Sequence, residues 1–396
     1  MIIAGESSGE LYGSLLAEAL RTRYPAVEIC GIGGDKMEKA GVTLLSRIAS
    51  SFGVIEAIRS FRQLRRTYRT IIESLKLNPP QVLVLIDYPD FNMKIAPRAR
   101  ELGIPVFYYV SPQVWAWRSG RIHTMKKIVD FLAVILPFEE RLYTSAAVPC
   151  EFVGHPIMDE IRQVLKSLDC SGTDIGTDAV KNAARRILGV PPEHPVLVVM
   201  PGSRRHEITS LLPELVETLR GLRPEHPDYD YVVPVAPNLN PSVRALLQST
   251  LEKEVPGHVR IVDNALLALM AADCGIIASG TSTLQAALLG VPHVVIYRLS
   301  PVTYWLGRRI IKVRYISLAN ILLDTMEEKA SSFRALELLQ DDVRAANIRH
   351  EVLRLMDDSA YRADCLEQFR LVRTVFLEKH ATERVADHVA RLAMGS

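Results

Sequence analysis

The feature that most constrains this chain is a recurrence. Short, unbroken runs of β-branched residues and Leu, bounded by Gly and Pro, alternate with stretches of helical spacing. The runs occupy residues 27–32, 82–86, 104–110, 131–136, 196–200, 231–235, 274–278 and 293–297, and the helical patterns 9–23, 54–75, 206–222, 281–289 and 343–356. Unbroken apolar strands belong to parallel sheets buried on both faces, and their alternation with helices predicts a doubly wound α/β architecture. At 396 residues the chain is too long for one core, so two such domains are expected.

Residues 167–178 are rich in Ser, Gly, Thr and Asp and lack periodicity, which marks an interruption near the middle. The predicted division is a Rossmann-like domain over 1–166, a linker over 167–185, a second Rossmann-like domain over 186–342, and terminal helices over 343–396 that pack across both domains. Two parallel-sheet domains facing a cleft place ligands at the carboxyl ends of their strands. The chemistry should therefore lie in strand-to-helix turns.

Composition narrows the classes. Lys plus Arg number 47 against 45 Asp plus Glu, and a net charge of +2 gives no general pull toward nucleic acid or anionic membranes. The five cysteines form no CxxC pair, which argues against a disulfide framework or zinc site and fits a reducing cytoplasm. The start of the chain lacks a basic segment followed by a long apolar one, so no export signal is expected, and no apolar run approaches the roughly 20 residues of a membrane span.

Five turns stand out. Gly5-Glu6-Ser7-Ser8-Gly9-Glu10 joins a strand to a helix; it reads either as a tight turn capped by Ser8 or as a ligand contact, and it is not GxGxxG, which weakens a nicotinamide reading. Gly31-Ile32-Gly33-Gly34 is a second turn of this kind. Asp87 follows the strand at 82–86 and is the carboxylate best placed for chemistry, whereas Asp90 or Asn92 reads more simply as an N-cap. Pro201-Gly202-Ser203-Arg204-Arg205 and Ser279-Gly280-Thr281-Ser282-Thr283 each follow a strand and open a helix. Free N–H donors, positive dipole ends and a double arginine there tilt the reading to an anionic ligand over ordinary capping. His155 and His206 read as contacts or as structural residues. No HExxH, EF-hand or P-loop lysine motif occurs and no DxD pair stands near the strand ends, so neither metal nor cofactor is required.

In order along the chain, Gly5-Glu6-Ser7-Ser8-Gly9, Asp87-Tyr88-Pro89-Asp90-Phe91-Asn92, Tyr109-Val110-Ser111-Pro112-Gln113-Val114-Trp115-Ala116-Trp117-Arg118, Leu136-Pro137-Phe138-Glu139, Phe152-Val153-Gly154-His155-Pro156, Pro201-Gly202-Ser203-Arg204 and Ser279-Gly280-Thr281 resemble the lipid-A-disaccharide synthase family over nearly the whole chain. The resemblance implies a GT-B fold with an N-terminal acceptor domain and a C-terminal nucleotide-sugar domain. It implies transfer of a diacylglucosamine unit from UDP-2,3-diacylglucosamine to the 6-hydroxyl of 2,3-diacylglucosamine 1-phosphate, with inversion and with UDP as leaving group. A homodimer is among the assemblies it allows.

On this reading Asp87 is the general base. Gly202, Ser203, Arg204, Ser279, Gly280, Thr281 and Gln285 hold UDP, the diphosphate being stabilised by Arg204 and backbone N–H groups without a metal. Ser8, Gly9, Glu10, Asn92, Ser111, Gln113, Trp115, Arg118, His155 and Asn320 line the acceptor side or the cleft. Two positions depart from the family pattern: Glu10 stands where Asp is usual, and Gln285 where Glu is usual. Along residues 54–75, Phe61, Leu64, Tyr68, Ile71 and Leu75 share one helical face and Arg59, Arg62, Arg66 and Arg69 the opposite one, while Ile55 and Ile58 break the division. The bland reading is a core face with solvated arginines. The lipid substrate favours instead peripheral docking on the inner face of the inner membrane from the cytoplasm, with Phe52, Ile55 and Ile58 nearest the lipid and the arginines drawing in the acceptor phosphate. The competing readings are a UDP-sugar 2-epimerase of the same fold and a non-catalytic nucleotide-sugar or lipid binder.

Overall fold

The computed structural model describes residues 1–47, 54–236, 239–299, 313–326 and 333–395, with only the backbone described for Ser7 and for residues 54–62. The chain divides into two compact units, one formed by Met1–Asp159 with Glu378–Ser396 and the other by Glu160–Leu377.

The first unit runs β1 (Ile2–Ala4), α1 (Ser7–Arg23), β2 (Cys30–Gly33), α2 (Asp35–Lys39), β3 (Thr43–Arg47), α3 (Val54–Leu77), β4 (Leu83–Ile86), α4 (Pro89–Glu101), β5 (Val106–Tyr109), α5 (Arg121–Ile128), β6 (Phe131–Val134), α6 (Pro137–Ser145) and β7 (Cys150–Phe152). Its strands are all parallel, in the order β3-β2-β1-β4-β5-β6-β7. The central strands β1, β4 and β5 are buried along their whole length, as the apolar runs require.

The second unit takes in most of α7 (Ile157–Ser167), then α8 (Asp178–Leu188), β8 (Val196–Met200), α9 (Arg205–Leu222), β9 (Asp230–Pro234), α10 (Pro241–Glu254), β10 (Val259–Val262), α11 (Ala265–Ala271), β11 (Cys274–Ala278), α12 (Thr281–Leu289), β12 (His293–Tyr297), α13 (Leu318–Thr325), β13 (Glu337–Leu339), α14 (Ala345–Asp357) and α15 (Ser359–Thr374). Its parallel order is β10-β9-β8-β11-β12-β13. The stretch read as a linker, 167–185, lies inside this unit and contains the first turns of α8.

The last helix, α16 (Ala381–Met394), belongs to the first unit, where Val385, Ala386 and Val389 join the core that includes Leu16 and Phe107. Polar contacts fix it there. Asp159 accepts from the Thr382 N–H (2.8 Å) and hydroxyl (2.7 Å), and Glu151 pairs with Arg384 (2.6 Å) and His388 (2.8 Å).

In both sheets the chain winds outward in one direction, returns to the centre and winds the other way. The order therefore reverses between β1 and β4 in the first unit and between β8 and β11 in the second. Crevices open at the carboxyl ends of strands at such reversals. Strand register sets the neighbours there: Ala4 pairs with Ile86, so Gly5 and Asp87 leave the sheet side by side, and Met200 pairs with Ile277.

Candidate active site

In the first unit, two consecutive residues after β4, Asp87 (φ 48°) and Tyr88 (φ 49°), adopt the left-handed conformation before α4 begins at Pro89. Neither is glycine, and such residues each cost on the order of 1–3 kcal/mol, a strain that accumulates at functional sites. The main chain of the turn is held from several sides. Asp87 N–H donates to the Tyr109 carbonyl (2.9 Å), while its carbonyl accepts from the Tyr108 hydroxyl (2.7 Å) and from Asn92 Nδ2 (2.7 Å).

The Asp87 carboxyl is raised to about 6, first by burial and then by the neighbouring Glu6, against a lowering hydrogen bond from the Tyr88 backbone. Asp90, in the first turn of α4, is exposed and pairs with Arg118 (3.1 Å) and Arg121. These arginines also lie over the Trp117 ring, with guanidinium-to-centroid distances of 4.3 and 5.5 Å.

The N-cap expectations are corrected. Tyr88, not Asp90 or Asn92, is the N-cap of α4, and Asn92 is fully buried with its amide donating to the Ile86 (3.3 Å) and Asp87 carbonyls. At α1 the N-cap is Glu6 rather than Ser8, and it makes no side-chain cap. Glu10 accepts the Lys36 N–H (2.8 Å) and so caps α2 from outside that helix.

Gly5 has a steric task. A Cβ there would lie 2.1–2.7 Å from the Tyr88 ring, which itself packs on Phe91 with centroids 5.3 Å apart. Gly5→Ala is expected to displace Tyr88 and to cost about 1–3 kcal/mol, as overpacking does. A melting temperature within a degree of the parent protein would show that the ring moves freely.

The tryptophan-bearing loop is strapped to α6. Glu139, almost completely buried, accepts from the Ser111 hydroxyl (2.7 Å), Trp115 Nε1 (3.0 Å) and the Leu136 N–H (3.1 Å), and burial pushes its carboxyl up to about 7 against those bonds. Ser111 and Trp115 thus have an internal partner, whereas Gln113 is exposed. His155 is buried and held neutral, its pKa driven down to about 3 by burial, and its Nδ1 accepts the Ile157 N–H (3.2 Å).

In the second unit, Gly202 (φ 106°) starts the turn after β8, and a Cβ there would meet Glu207 at 2.6 Å. Glu207, in the first turn of α9, accepts the N–H groups of Ser203 (3.0 Å) and Arg204 (3.2 Å) and pairs with the Arg204 guanidinium (3.1 Å). This capping box engages the Ser203 N–H, one of the backbone groups expected to hold the diphosphate, together with the neighbouring Arg204 N–H. The S-R-x-x-E spacing that gives it was readable from sequence.

After β11, Ser279 donates to the Ile316 carbonyl (3.3 Å), and Thr281 opens α12, whose first N–H groups lack intrahelical acceptors. Gln285 lies one turn further and donates to Glu160 (3.3 Å). Asn320 is fully buried. Its amide donates to the Ala335 carbonyl (2.8 Å) and Glu337 (2.9 Å), and its oxygen accepts the Ala335 N–H (3.0 Å), so the side chain supports the fold of this segment. Glu337, which no sequence signal singled out, also accepts from the Ile316 (2.8 Å) and Ser317 (3.0 Å) N–H groups.

Of the residues assigned to membrane or phosphate contact, Arg66 and Arg69 are exposed on α3. Phe52 and the side chains of Ile55, Ile58, Arg59, Phe61 and Arg62 lie outside the described residues. Ile71 and Leu75 are buried, and Leu64 and Tyr68 line a groove of about 590 Å³ shared with Phe91 and Pro97 of α4.

Two doubly wound sheets, each with its polar turns at the point of reversal, define the GT-B class of α/β proteins. Solved structures agree in fold. A UDP-GlcNAc 2-epimerase from Neisseria meningitidis bound to UDP-GlcNAc matches with a TM-score of 0.61 at 11% identity, covering 100% of this chain and 99% of that one. The calicheamicin glycosyltransferase CalG4 matches at 0.58 and 17%, covering 100% and 98%.

Sequence comparison decides within the class. The lipid-A-disaccharide synthetase family model matches residues 1–373, and the lipid-A-disaccharide synthase of Geobacter sulfurreducens is 38% identical over 396 residues, 99% of this chain and 96% of that relative. The chain belongs to the lipid-A-disaccharide synthase family and is a glycosyltransferase using a nucleotide-sugar donor and a lipid acceptor.

Proposed function

We propose that the enzyme condenses UDP-2,3-diacylglucosamine with 2,3-diacylglucosamine 1-phosphate, giving the lipid A disaccharide 1-phosphate and UDP with inversion at the anomeric carbon. Asp87 takes the proton from the acceptor 6-hydroxyl as that oxygen attacks. Arg204 and the opening N–H groups of α12 receive the charge that grows on the departing diphosphate.

The observation that carries this reading is Asp87 itself: a strand-end carboxylate, raised to about 6, at the reversal of a parallel sheet. A base poised near neutrality combines ionisation at working pH with useful basicity. In the second unit, the Arg204 turn and the start of α12 occupy the corresponding ends of β8 and β11.

Incubation with UDP-diacylglucosamine, with and without acceptor and in excess chelator, tests the proposal through UDP release and product mass. Acceptor-dependent disaccharide is expected, undiminished by chelation. Donor isomerisation without acceptor would favour the epimerase, and binding without turnover a carrier.

The described part of α3 supports docking of the enzyme on the cytoplasmic face of the inner membrane, because exposed Arg66 and Arg69 share the helix with the groove-lining Leu64 and Tyr68. A surface-proximal arginine contributes ~1 kcal/mol to attraction for anionic lipid, and salt screens it. Co-sedimentation with anionic vesicles should fall when Arg59, Arg62, Arg66 and Arg69 are changed to Gln, most clearly at low salt. Equal partitioning of the two proteins at every salt concentration would leave α3 a core helix with solvated arginines.

A further inference from the structure

The Asp87 turn carries more polar machinery than packing alone requires. Tyr108 of β5 is fully buried, and its hydroxyl donates to the carbonyl of Asp87 (2.7 Å). Phenylalanine would fill almost the same volume. Asn92 of α4, also fully buried, sends its amide to that same carbonyl (2.7 Å) and to the Ile86 carbonyl (3.3 Å), while its Oδ1 has no partner among the described residues. Burying an amide with one side unsatisfied costs stability, so its retention needs a return other than folding.

The geometry shows what the two groups control. Asp87 N–H is already fixed by the Tyr109 carbonyl, so fixing its carbonyl as well leaves the Asp87 backbone little freedom to relax out of the left-handed region. The Cα–Cβ direction, and with it the carboxylate, follows from that backbone. Tyr108 remains protonated, because burial first, with Asp87 next, raises its pKa well above the ordinary tyrosine range. Its hydroxyl is therefore a constant donor across the working pH range. Both side chains reach the turn from secondary structure, one from the adjacent strand and one from the helix that follows.

We propose that Tyr108 and Asn92 are positioning residues that clamp the Asp87 carbonyl and so aim the Asp87 carboxylate at the acceptor hydroxyl. The proposal rests on the reading of Asp87 as the base. The clamp touches main chain only, and it acts on the orientation of the base rather than on substrate binding. Its loss should therefore appear in kcat and leave the KM for donor and acceptor unchanged.

The experiment is a double-mutant cycle between Tyr108→Phe and Asp87→Asn, with kcat, both KM values and thermal melting measured for each protein. Tyr108→Phe alone is expected to lower kcat about 10–100-fold, the effect of a small misplacement of a reacting group. In the Asp87→Asn background the same change should cost nothing further, because the group it aims is gone. Asn92→Leu, which leaves Tyr108 in place, should give the same pattern. Unchanged kcat in Tyr108→Phe and Asn92→Leu, or an equal further loss in the Asp87→Asn background, would overturn the positioning role while leaving Asp87 as the base. Near-normal turnover in Asp87→Asn alone would remove the base, and the clamp's purpose with it.

Discussion

Asp87→Asn is expected to fold, to melt higher than the parent protein, and to turn over roughly 10²–10⁴-fold more slowly, the usual consequence of removing a general base. The two effects have one cause. The Asp87 carboxyl is raised from 3.8 to about 6 in the fold, mainly by burial and secondarily by Glu6. Between those values the native state holds a proton that the unfolded chain has released. The stabilising contribution is thus complete below about pH 4 and is lost as pH rises through about 6. At neutral pH the ionised carboxylate costs the fold on the order of 2–3 kcal/mol, taking 1.36 kcal/mol per pKa unit, and asparagine removes the charge. In the parent enzyme the rate should rise with pH to a plateau above about 6 as the base ionises. An Asp87→Asn protein that melts lower and keeps its turnover would mark the carboxylate as a structural group.

The architecture was legible because burial on both faces gives a parallel strand an unbroken apolar sequence. The runs at 82–86, 104–110, 196–200 and 274–278 all became central strands. The strands that escaped notice, β3, β7, β10 and β13, are the four sheet edges. Edges are partly exposed, as Thr43–Arg47 and Val259–Val262 show, so no continuous apolar run marks them.

Site residues divided along similar lines. Position at a strand end singles out Asp87, Arg204 and the start of α12 as candidates, because the turns of a doubly wound sheet are local in sequence. The partners of those residues were not found. Tyr108 reads as one more apolar strand residue, and nothing nearby in sequence reveals that its hydroxyl meets a carbonyl 21 residues away. Glu139 and Glu337 likewise reach back 28 and 17 residues to hold Ser111 and Asn320. The motif positions Ser111, Trp115 and Asn320 were identifiable, but whether each faces a substrate or an internal carboxylate depends on contacts distant in the chain.

Arg204→Ala is expected to lower kcat about 10²–10³-fold, the loss that follows removal of one preorganised donor at a developing negative charge. The Glu207 carboxylate occupies the N–H groups of Ser203 and Arg204 and holds Arg204 Nη1, so the turn after β8 supplies fewer backbone donors than a bare helix start would. On the proposed reading the diphosphate is met by the rest of the Arg204 guanidinium, whose side chain is 59% exposed, and by the opening N–H groups of α12. On that reading Glu207 has opposing effects on the anion: it orients the arginine and also places a like charge beside the phosphates. Glu207→Gln should relieve the repulsion and retain one hydrogen-bond acceptor, while weakening a cap whose loss typically costs about 1 kcal/mol. Its expected outcome is therefore a lower melting temperature and a fall in kcat well short of that in Arg204→Ala. UDP affinity, measured by product inhibition, should drop in Arg204→Ala and hold or improve in Glu207→Gln. If Arg204→Ala keeps kcat and UDP affinity within twofold of the parent enzyme, the arginine serves only the cap, and the leaving group is stabilised elsewhere.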